Sequence, residues 1–481
     1  MRGTASNDSC FDTNVKVSAL DALAFPPRPS AFPLKMKLRT VTLGCKVNQY
    51  ETEYVREGLL GIGYEDAQEE DQAELCIVNT CTVTNEGDSK SRQTIRRLAR
   101  KNPGAKIVVM GCYATRAPQE VAALPGVSQV VTDKRELPDL LGRFGVTDIP
   151  TGISGFARRH RAYVKAQDGC MLRCSFCIIP HVRPNLSSRP IEHILDEVRR
   201  LVDRGFREVV LTGIHLGHYG VDWNRQAALT SPAAKSDWIR LSHLVRRIAE
   251  LPGDFRIRLS SIEATEVTRE LIAAMADHPD KIAPHLHISM QSGSDSVLRR
   301  MRRRWGSQRF IDRCRLVQEK LDRPAITTDI IVGFPGETDA EFAETIATSR
   351  AAGFSKIHIF PFSARRGTPA ATMPNQIPKH VQQERSRELA AVEAELRDEY
   401  YRSLLGRRLR VLVESETRGA NGAERRMWSG TSCRYATVEL DASARDEGQF
   451  IDVVASQLGQ ERIIAALRAS DPLGRKWCTG S

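Results

Sequence analysis

At 481 residues the chain is too long for one ordinary domain, and two to four are expected. Its composition, 41% hydrophobic and 27% charged, is that of a soluble globular protein. The formal charge of +11 permits a polyanionic partner such as RNA without requiring one, no apolar run reaches the length of a membrane span, and the 11 cysteines lie in no regular disulfide spacing.

Residues 1–35 are poor in pattern and read as disordered. They lack an apolar core after a basic start, so a secretory signal is not expected, and Met36 is an alternative natural start. Cys10 takes no role.

Lys37 to Leu43 alternates and reads as a strand. It runs into Gly44-Cys45-Lys46-Val47-Asn48-Gln49-Tyr50-Glu51-Thr52 and then a helical pattern through Tyr54, Leu59 and Leu60. Leu75 to Cys81 is a second buried strand with a polar end, followed by Thr82-Val83-Thr84-Asn85 and a basic helix from Glu86 to Lys101. Lys106 to Cys112 is a third strand ending the same way. Strand, turn and helix in threefold repeat predict a parallel α/β domain over 36–145.

Cys45, Cys81 and Cys112 each stand just past the C-terminal end of a strand. In an open parallel sheet those ends share one edge, where ligands bind. The placement predicts that the three thiols converge on an iron–sulfur cluster with one iron left open; ordinary buried cysteines are the alternative. Cys76 lies inside a strand and reads as core.

Pro118 to Gly155 carries linker signals, including Leu137-Pro138 and Ile149-Pro150-Thr151-Gly152. Phe156-Ala157-Arg158-Arg159-His160-Arg161 is a basic patch whose plain reading is a solvated face, ahead of the strand Ala162 to Gln167. Then comes Gly169-Cys170-Met171-Leu172-Arg173-Cys174-Ser175-Phe176-Cys177. A structural zinc site uses four ligands, usually in two pairs. Here three cysteines stand in nine residues, and His181 lies beyond the Ile178-Ile179-Pro180 run. Three thiolates suit a cubane [4Fe–4S] cluster with one open iron; zinc remains an alternative, and three is an odd number for disulfides.

A helix from Ile191 to Gly205 leads to the strand Glu208 to Gly213. Further strands end at Ser261, Gln291, Gly333 and Phe360, with helical segments between. Counting the strand before Cys170, six β/α units suggest a partial barrel over 156–385, with ligands at the C-terminal strand ends. Those ends carry Gly213, Ser261, Glu263, Gln291, Ser292, Asp329 and Gly333. Tyr219 to Trp238 reads as an extended loop. Arg299 to Arg304 is the densest basic run, either a solvated helix face or an RNA contact. Lys379 to Tyr401 is a charged helical connector, placed at 386–403. Over 404–470 the alternating runs Arg408 to Glu414, Tyr435 to Leu440 and Phe450 to Ala455 predict a small antiparallel barrel. Its basic loop Glu424-Arg425-Arg426-Met427-Trp428 pairs phosphate contact with base stacking. Cys314, Cys433 and Cys478 match no motif.

The stretch around Cys170, Cys174 and Cys177 resembles the cluster motif of the radical S-adenosylmethionine (SAM) enzymes, in which an open iron chelates SAM and electron transfer cleaves it to a 5′-deoxyadenosyl radical. Thr42 to Thr52, Val78 to Thr84 and Gly111-Cys112-Tyr113-Ala114 are similar to the N-terminal domain of the methylthiotransferases, a radical SAM family with two clusters. Gly44 to Thr52 is most similar to the bacterial branch acting on threonylcarbamoyladenosine in tRNA; other branches act on isopentenyladenosine or a ribosomal-protein aspartate. Leu211 to Gly217, Ser260 to Glu263, Gln291 to Asp295 and Gly333 to Thr338 are similar to segments that line the SAM site. The C-terminal barrel resembles a TRAM domain, an RNA-binding module. Two departures touch loop geometry: Val182 to Arg189 where an Arg-Gly tract is usual, and Ala264 where a Pro is common.

The resemblance implies an N-terminal parallel α/β domain, a central partial (β/α)6 radical SAM barrel and a TRAM-like barrel. It implies a tRNA methylthiotransferase that adds a methylthio group to carbon 2 of threonylcarbamoyladenosine beside the anticodon. One [4Fe–4S] cluster would sit on Cys45, Cys81 and Cys112 and one on Cys170, Cys174 and Cys177. SAM would bind near Gly213, Ser261, Glu263, Gln291, Asp329 and Gly333, with no catalytic residue beyond the clusters. The expected partners are tRNA, an electron donor such as a flavodoxin or ferredoxin, and an unidentified sulfur donor, in the cytoplasm. Both clusters must then face a common cavity. A non-catalytic, metal-stabilised RNA-binding protein is the alternative from another class.

Overall fold

The computed structural model describes residues 36–157, 159–230, 238–418 and 426–467. In the N-terminal unit β1 (Lys37–Thr42), β2 (Glu65–Asp66), β3 (Leu75–Thr80), β4 (Lys106–Gly111) and β5 (Val127–Val130) form one parallel sheet in the order β2-β1-β3-β4-β5. The central strand β3 is buried along its whole length, as expected of a strand covered on both faces. Helices α1 (Lys46–Gly61), α2 (Asn85–Lys101), α3 (Cys112–Arg116), α4 (Pro118–Ala122) and α5 (Leu137–Arg143) connect the strands. Two apolar layers, one around Ile77, Val108 and Leu141 and one around Val78, Val109 and Ile95, cover the faces. Helix α2 starts where Thr84 accepts a hydrogen bond from the Gly87 amide, with Glu86 and Asp88 in its first turn and Arg100 and Lys101 in its last, which suits the helix dipole. The predicted linker Pro118 to Gly155 therefore holds α4, β5 and α5: short elements flanked by prolines carry too few periodic residues to show in sequence.

The second unit is an incomplete ring of six parallel strands. β6 (Arg161–Asp168) carries the two-residue antiparallel β7 (Ser187–Ser188) on one edge and pairs with β8 (Glu208–Gly213), which pairs with β9 (Arg256–Leu259). β10 (His285–His287), β11 (Ala325–Val332) and β12 (Lys356–Pro361) continue it, joined to β9 by bridges Ile257 to Ile282 and Ile262 to Ile288. Around it run α6 (Ile179–Val182), α7 (Ile191–Asp203), α8 (Val221–Thr230), α9 (Leu241–Ala249), α10 (Arg269–Asp277), α11 (Asp295–Arg300), α12 (Ser307–Lys320) and α13 (Asp339–Ala352). Alternation along the strands divides the ring. Val164, Leu211, Ile257, Leu286, Ile330 and Ile357 join one apolar cluster with the helices, while Arg161, Glu208, Arg258, His285, His287, Asp329 and His358 take the opposite parity and line the interior. Helix α8 lies where the sequence suggested a loop, because its polar Asp222, Asn224 and Arg225 masked a helical turn pattern.

Helix α14 (Lys379–Leu404) is more than a connector: it lays Leu389, Val392 and Leu396 into the ring's apolar cluster. It leads to a closed barrel of β13 (Arg408–Arg418), β14 (Arg426–Ser432), β15 (Thr437–Leu440), β16 (Phe450–Gly459) and β17 (Arg462–Leu467), in the order β13-β14-β15-β17-β16. All its pairings are antiparallel except β15 with β17. Trp428, expected in a basic loop and available to a base, lies instead in β14 with its ring in the barrel core. Glu424 and Arg425 lie outside the described residues. This barrel closes the ring at the strand starts: Arg161 binds Glu414, Arg256 and Arg258 donate to the carbonyls of Arg410 and Ser432, and Tyr435 stacks on His285 at 4.1 Å.

Candidate functional site

Both thiol triplets lie at C-terminal strand ends. β1, β3 and β4 deliver Cys45, Cys81 and Cys112; the loop after β6 delivers Cys170, Cys174 and Cys177. Three of the six follow a glycine in the left-handed region, Gly44 (φ 100°), Gly111 (φ 101°) and Gly169 (φ 78°). The backbone turns sharply there, and neighbours crowd the turn. A Cβ on Gly44 would meet the Cys81 side chain at 3.0 Å, and one on Gly111 or Gly169 would collide with the backbone of Thr80 or Asn185.

Asn48, one turn into α1, organises the first triplet. Its amide donates to the Leu43 carbonyl at 2.9 Å and the Thr80 carbonyl at 3.0 Å, so it ties the approach to Cys45 to the strand end before Cys81. Its oxygen accepts from Cys45 Sγ at 3.7 Å and from Arg183 at 3.0 Å. Cys112 lies close enough to raise both the Cys45 and Cys81 thiol pKa values, after burial, which is the main cause in each case.

In the second triplet burial pushes the Cys177 thiol up to about 12 and raises Cys174 against the opposing Arg303 charge. Arg303 donates to Cys174 Sγ at 3.4 Å and pairs with Glu263 at 2.7 Å. His215 lies between Cys170 Sγ, at 3.7 Å from Nδ1, and Glu266, at 2.5 Å from Nε2. Burial would lower its pKa, but the hydrogen bonds to Cys170 and Glu266 and the Glu266 charge outweigh burial and lift it to about 10. The imidazolium therefore offers a proton to each neighbour. His218 stacks on His215 at 3.6 Å.

The two triplets adjoin. Cys112 packs with Ile178 and Val182, from the segment that directly follows Cys177. Arg183, next in the chain, is buried, with Nε donating to Cys112 Sγ at 3.4 Å. Its Nη1 donates to Glu51 at 2.7 Å and to Asp168 at 2.9 Å, and Lys165 pairs with Glu51 at 2.8 Å. Burial would raise the Glu51 pKa; the Arg183 and Lys165 charges overcome it and hold that carboxyl at about 2. On the opposite flank Arg365, from the loop after β12, is buried against Asp88 at 2.6 Å, Thr82 at 2.5 Å and Asn85 at 2.8 Å. The N-terminal unit is thus clamped at both ends of the ring. Beside Arg183 a crevice of about 500 Å³ opens between the units, lined in part by Tyr50, Glu51, Lys134, Lys165 and Arg189.

Sulfur spacing speaks to the donor set. Among the described residues the one group of metal-binding side chains whose ligand atoms all lie within 4.8 Å of one another is His215, His218 and Glu266; neither thiol triplet is that tight. A tetrahedral zinc with bonds of about 2.3 Å needs sulfurs roughly 3.8 Å apart. Wider thiol sets, each beside a guanidinium that offsets thiolate charge, fit a larger cluster.

Gly213, Ser261, Glu263, Gln291 and Gly333 fall at or near the ends of their strands, on the rim that carries Cys170, whereas Asp329 lies within β11 and faces the interior. Gln291 has φ 69° and bridges to Ile330; Asp329 meets His287 at 3.1 Å; the Gly333 amide donates to Glu337. Part of each basic run is engaged within the fold. Arg300 pairs with Glu341 at 2.8 Å and Arg303 with Glu263, while Arg161 and His160 face Glu414 and Glu447 of the small barrel. Arg158 lies outside the described residues. Sequence reading gave no individual role to Arg183, Arg303, Arg365 or His215, although the departure at Val182 to Arg189, the basic run Arg299 to Arg304 and the segment Leu211 to Gly217 contain Arg183, Arg303 and His215. Cys76, Cys314 and Cys433 are buried apart from both triplets. No helix among the described residues is long and apolar enough to cross a membrane.

Comparison with known proteins gives two family matches: residues 37–133 match "Uncharacterized protein family UPF0004" and residues 164–348 match the radical SAM superfamily. The threonylcarbamoyladenosine tRNA methylthiotransferase MtaB of Bacillus subtilis (strain 168) is 39% identical over 435 residues, 87% of this chain and 93% of its own length. The MtaB of Thermotoga maritima is 37% identical over 394 residues, 78% of this chain and 86% of its own. A tRNA-2-methylthio-N(6)-dimethylallyladenosine synthase of Corynebacterium glutamicum is 36% identical over 442 residues, 86% of this chain and 83% of its own. Among solved structures, the radical SAM methyltransferase TsrM of Kitasatospora setae superposes with a TM-score of 0.51 at 14% identity, over 70% of this chain and 75% of that one, a likeness of fold.

Proposed function

The chain belongs to the radical SAM tRNA methylthiotransferases, and from that premise we infer that it adds a methylthio group to carbon 2 of threonylcarbamoyladenosine in tRNA. In this reading Cys170, Cys174 and Cys177 hold one [4Fe–4S] cluster and Cys45, Cys81 and Cys112 hold the other. When bound, the two clusters and SAM supply the radical that removes the carbon 2 hydrogen, the sulfur that replaces it and the methyl group that caps the sulfur.

The chain's own residues do the rest. Arg183, Arg303 and the His215 imidazolium direct N–H groups at Cys112, Cys174 and Cys170 and offset thiolate charge in buried surroundings. Gly213, Ser261, Glu263, Gln291 and Gly333 form the rim against which SAM rests, with Asp329 inside the ring beneath it. The clamps at Arg183 and Arg365 hold the N-terminal unit over that rim, so that a base entering between the units meets both triplets. An electron donor such as a flavodoxin or ferredoxin, and a sulfur donor of unassigned identity, complete the turnover.

The observation that carries this reading is the packing of Cys112 on Ile178 and Val182, which brings one triplet beside the loop of the other. Mass spectrometry of nucleosides tests it. Reconstituted protein, SAM and reductant should add a methylthio group to a threonylcarbamoyladenosine anticodon stem-loop. Modification of an isopentenyladenosine stem-loop in its place would reassign the substrate.

A further inference from the structure

The ring interior is a polar chamber that the small barrel closes from below. Glu208 is its central carboxylate, buried between Arg256 at 2.5 Å, Arg258 at 3.0 Å and Arg161 at 3.6 Å. Arg161 also pairs with Glu414. Asp329 pairs with His287. The acids of the chamber are therefore all engaged.

Into this chamber the N-terminal unit contributes a further cation. Lys46 follows Cys45 at the start of α1, and α1 packs across β6 and β8. Lys46 is exposed to solvent, and it lies within electrostatic reach of Arg258, Arg161, Glu208 and Asp329, while its charge reaches His285 and His358. It makes no hydrogen bond or ion pair among the described residues. Arg258 adds a second observation: its Nη1 is buried and has no hydrogen-bond partner. Lys46, next in the chain to Cys45, and Arg258 thus both hold unused donor capacity. Cations with free donors at the mouth and in the wall of one chamber call for an anion, and a carboxylate accepts from two donors at once.

We propose that Lys46, supported by Arg258, is the carboxylate-reading residue of the substrate site and selects the threonyl group of threonylcarbamoyladenosine. This rests on the function inferred above. The threonine is joined through its nitrogen, so its carboxylate is free and is the one full charge that separates this nucleoside from one bearing an apolar N6 group. SAM also carries a carboxylate, so the chemistry has two sources, and the experiment separates them.

Full-length reconstituted protein is titrated with three labelled anticodon stem-loops: the threonylcarbamoyl form, its methyl ester and the unmodified adenosine. SAM affinity is measured in parallel by equilibrium dialysis, and iron content confirms equal loading of every variant. In the native protein the ester should bind roughly 10- to 100-fold more weakly than the free acid, the range expected for a charge-assisted contact. Lys46→Met should bind acid and ester alike, at the level of the native protein with the ester, with unchanged SAM affinity. Lys46→Arg should recover most of the discrimination. Equal binding of acid and ester by the native protein overturns the proposal. So does a Lys46→Met protein that still discriminates, or one that loses SAM affinity while keeping the acid preference. A native protein that modifies no threonylcarbamoyl stem-loop but does modify another nucleoside overturns the functional reading, and this proposal with it.

Discussion

Cys170, Cys174 and Cys177 come from one loop behind one strand, whereas Cys45, Cys81 and Cys112 are delivered by three strands and meet only because the sheet register aligns β1, β3 and β4. The Cys170 triplet is local in sequence. It turns at Gly169, and its supports, His215 and Arg303, come from the same ring. The Cys45 triplet depends on contacts between units, since Asn48 must span two strand ends and Arg183 must reach across from the other unit. A chain can thus carry one metal-ready loop as a sequence motif and a second donor set as a property of folding. Perturbations that loosen the junction between units should strike the Cys45 set and spare the Cys170 set.

The largest contrast is expected between two guanidiniums. Arg183→Met leaves Glu51 and Asp168 as buried carboxylates with Lys165 alone between them, and should cost about 3–5 kcal/mol in urea unfolding of the cluster-free protein. Arg303→Met leaves Glu263, whose pKa burial already raises against the Arg303 charge; that carboxyl neutralises easily, so the loss should be smaller, roughly 1–3 kcal/mol. Equal losses would mean that the junction between units adds nothing to the Cys45 site.

Next come the glycines. Gly111→Ala forces a side chain into the left-handed region against the Thr80 backbone, and should cost roughly 1–3 kcal/mol while lowering iron retention at the N-terminal triplet. Gly169→Ala should do the same for the other triplet alone, and Mössbauer spectra of the two variants would tell which site suffered.

The most gradual effect concerns pH. Folded Glu51 titrates at about 2, below its ordinary value of 4.5. Its contribution to stability is therefore complete above pH 4.5 and drains away as pH falls toward 2. The Glu51→Gln protein should be less stable at neutral pH, and its stability should fall less steeply below pH 4.5, by at most about 1.4 kcal/mol per pH unit. Parallel acid-unfolding curves for the two proteins would contradict this.

Much of the architecture was readable in the chain because its signals are local. Apolar runs such as Leu75 to Val78 and Ile107 to Met110, each ending near a Cys, announce parallel strands and the edge where ligands collect. The polar partners were hidden for the converse reason. Arg183 meets Glu51 across 132 residues and Arg365 meets Asp88 across 277, and no spacing rule links such pairs. Trp428 misled because a basic, Gly-flanked stretch looks like a loop, while its single buried ring is settled only by closure of the barrel. Likewise Arg299 to Arg304 looks like one surface, yet Arg300 and Arg303 turn inward to different carboxylates.

Iron and sulfide content of anaerobically reconstituted protein tests the central claim most directly, with Cys45→Ala and Cys170→Ala measured beside the native chain. Two independent thiol triplets predict about eight irons per chain, falling to about four in either variant. About four irons in the native protein, unchanged by Cys45→Ala, would contradict the account: the three strand-end cysteines would then be ordinary thiols.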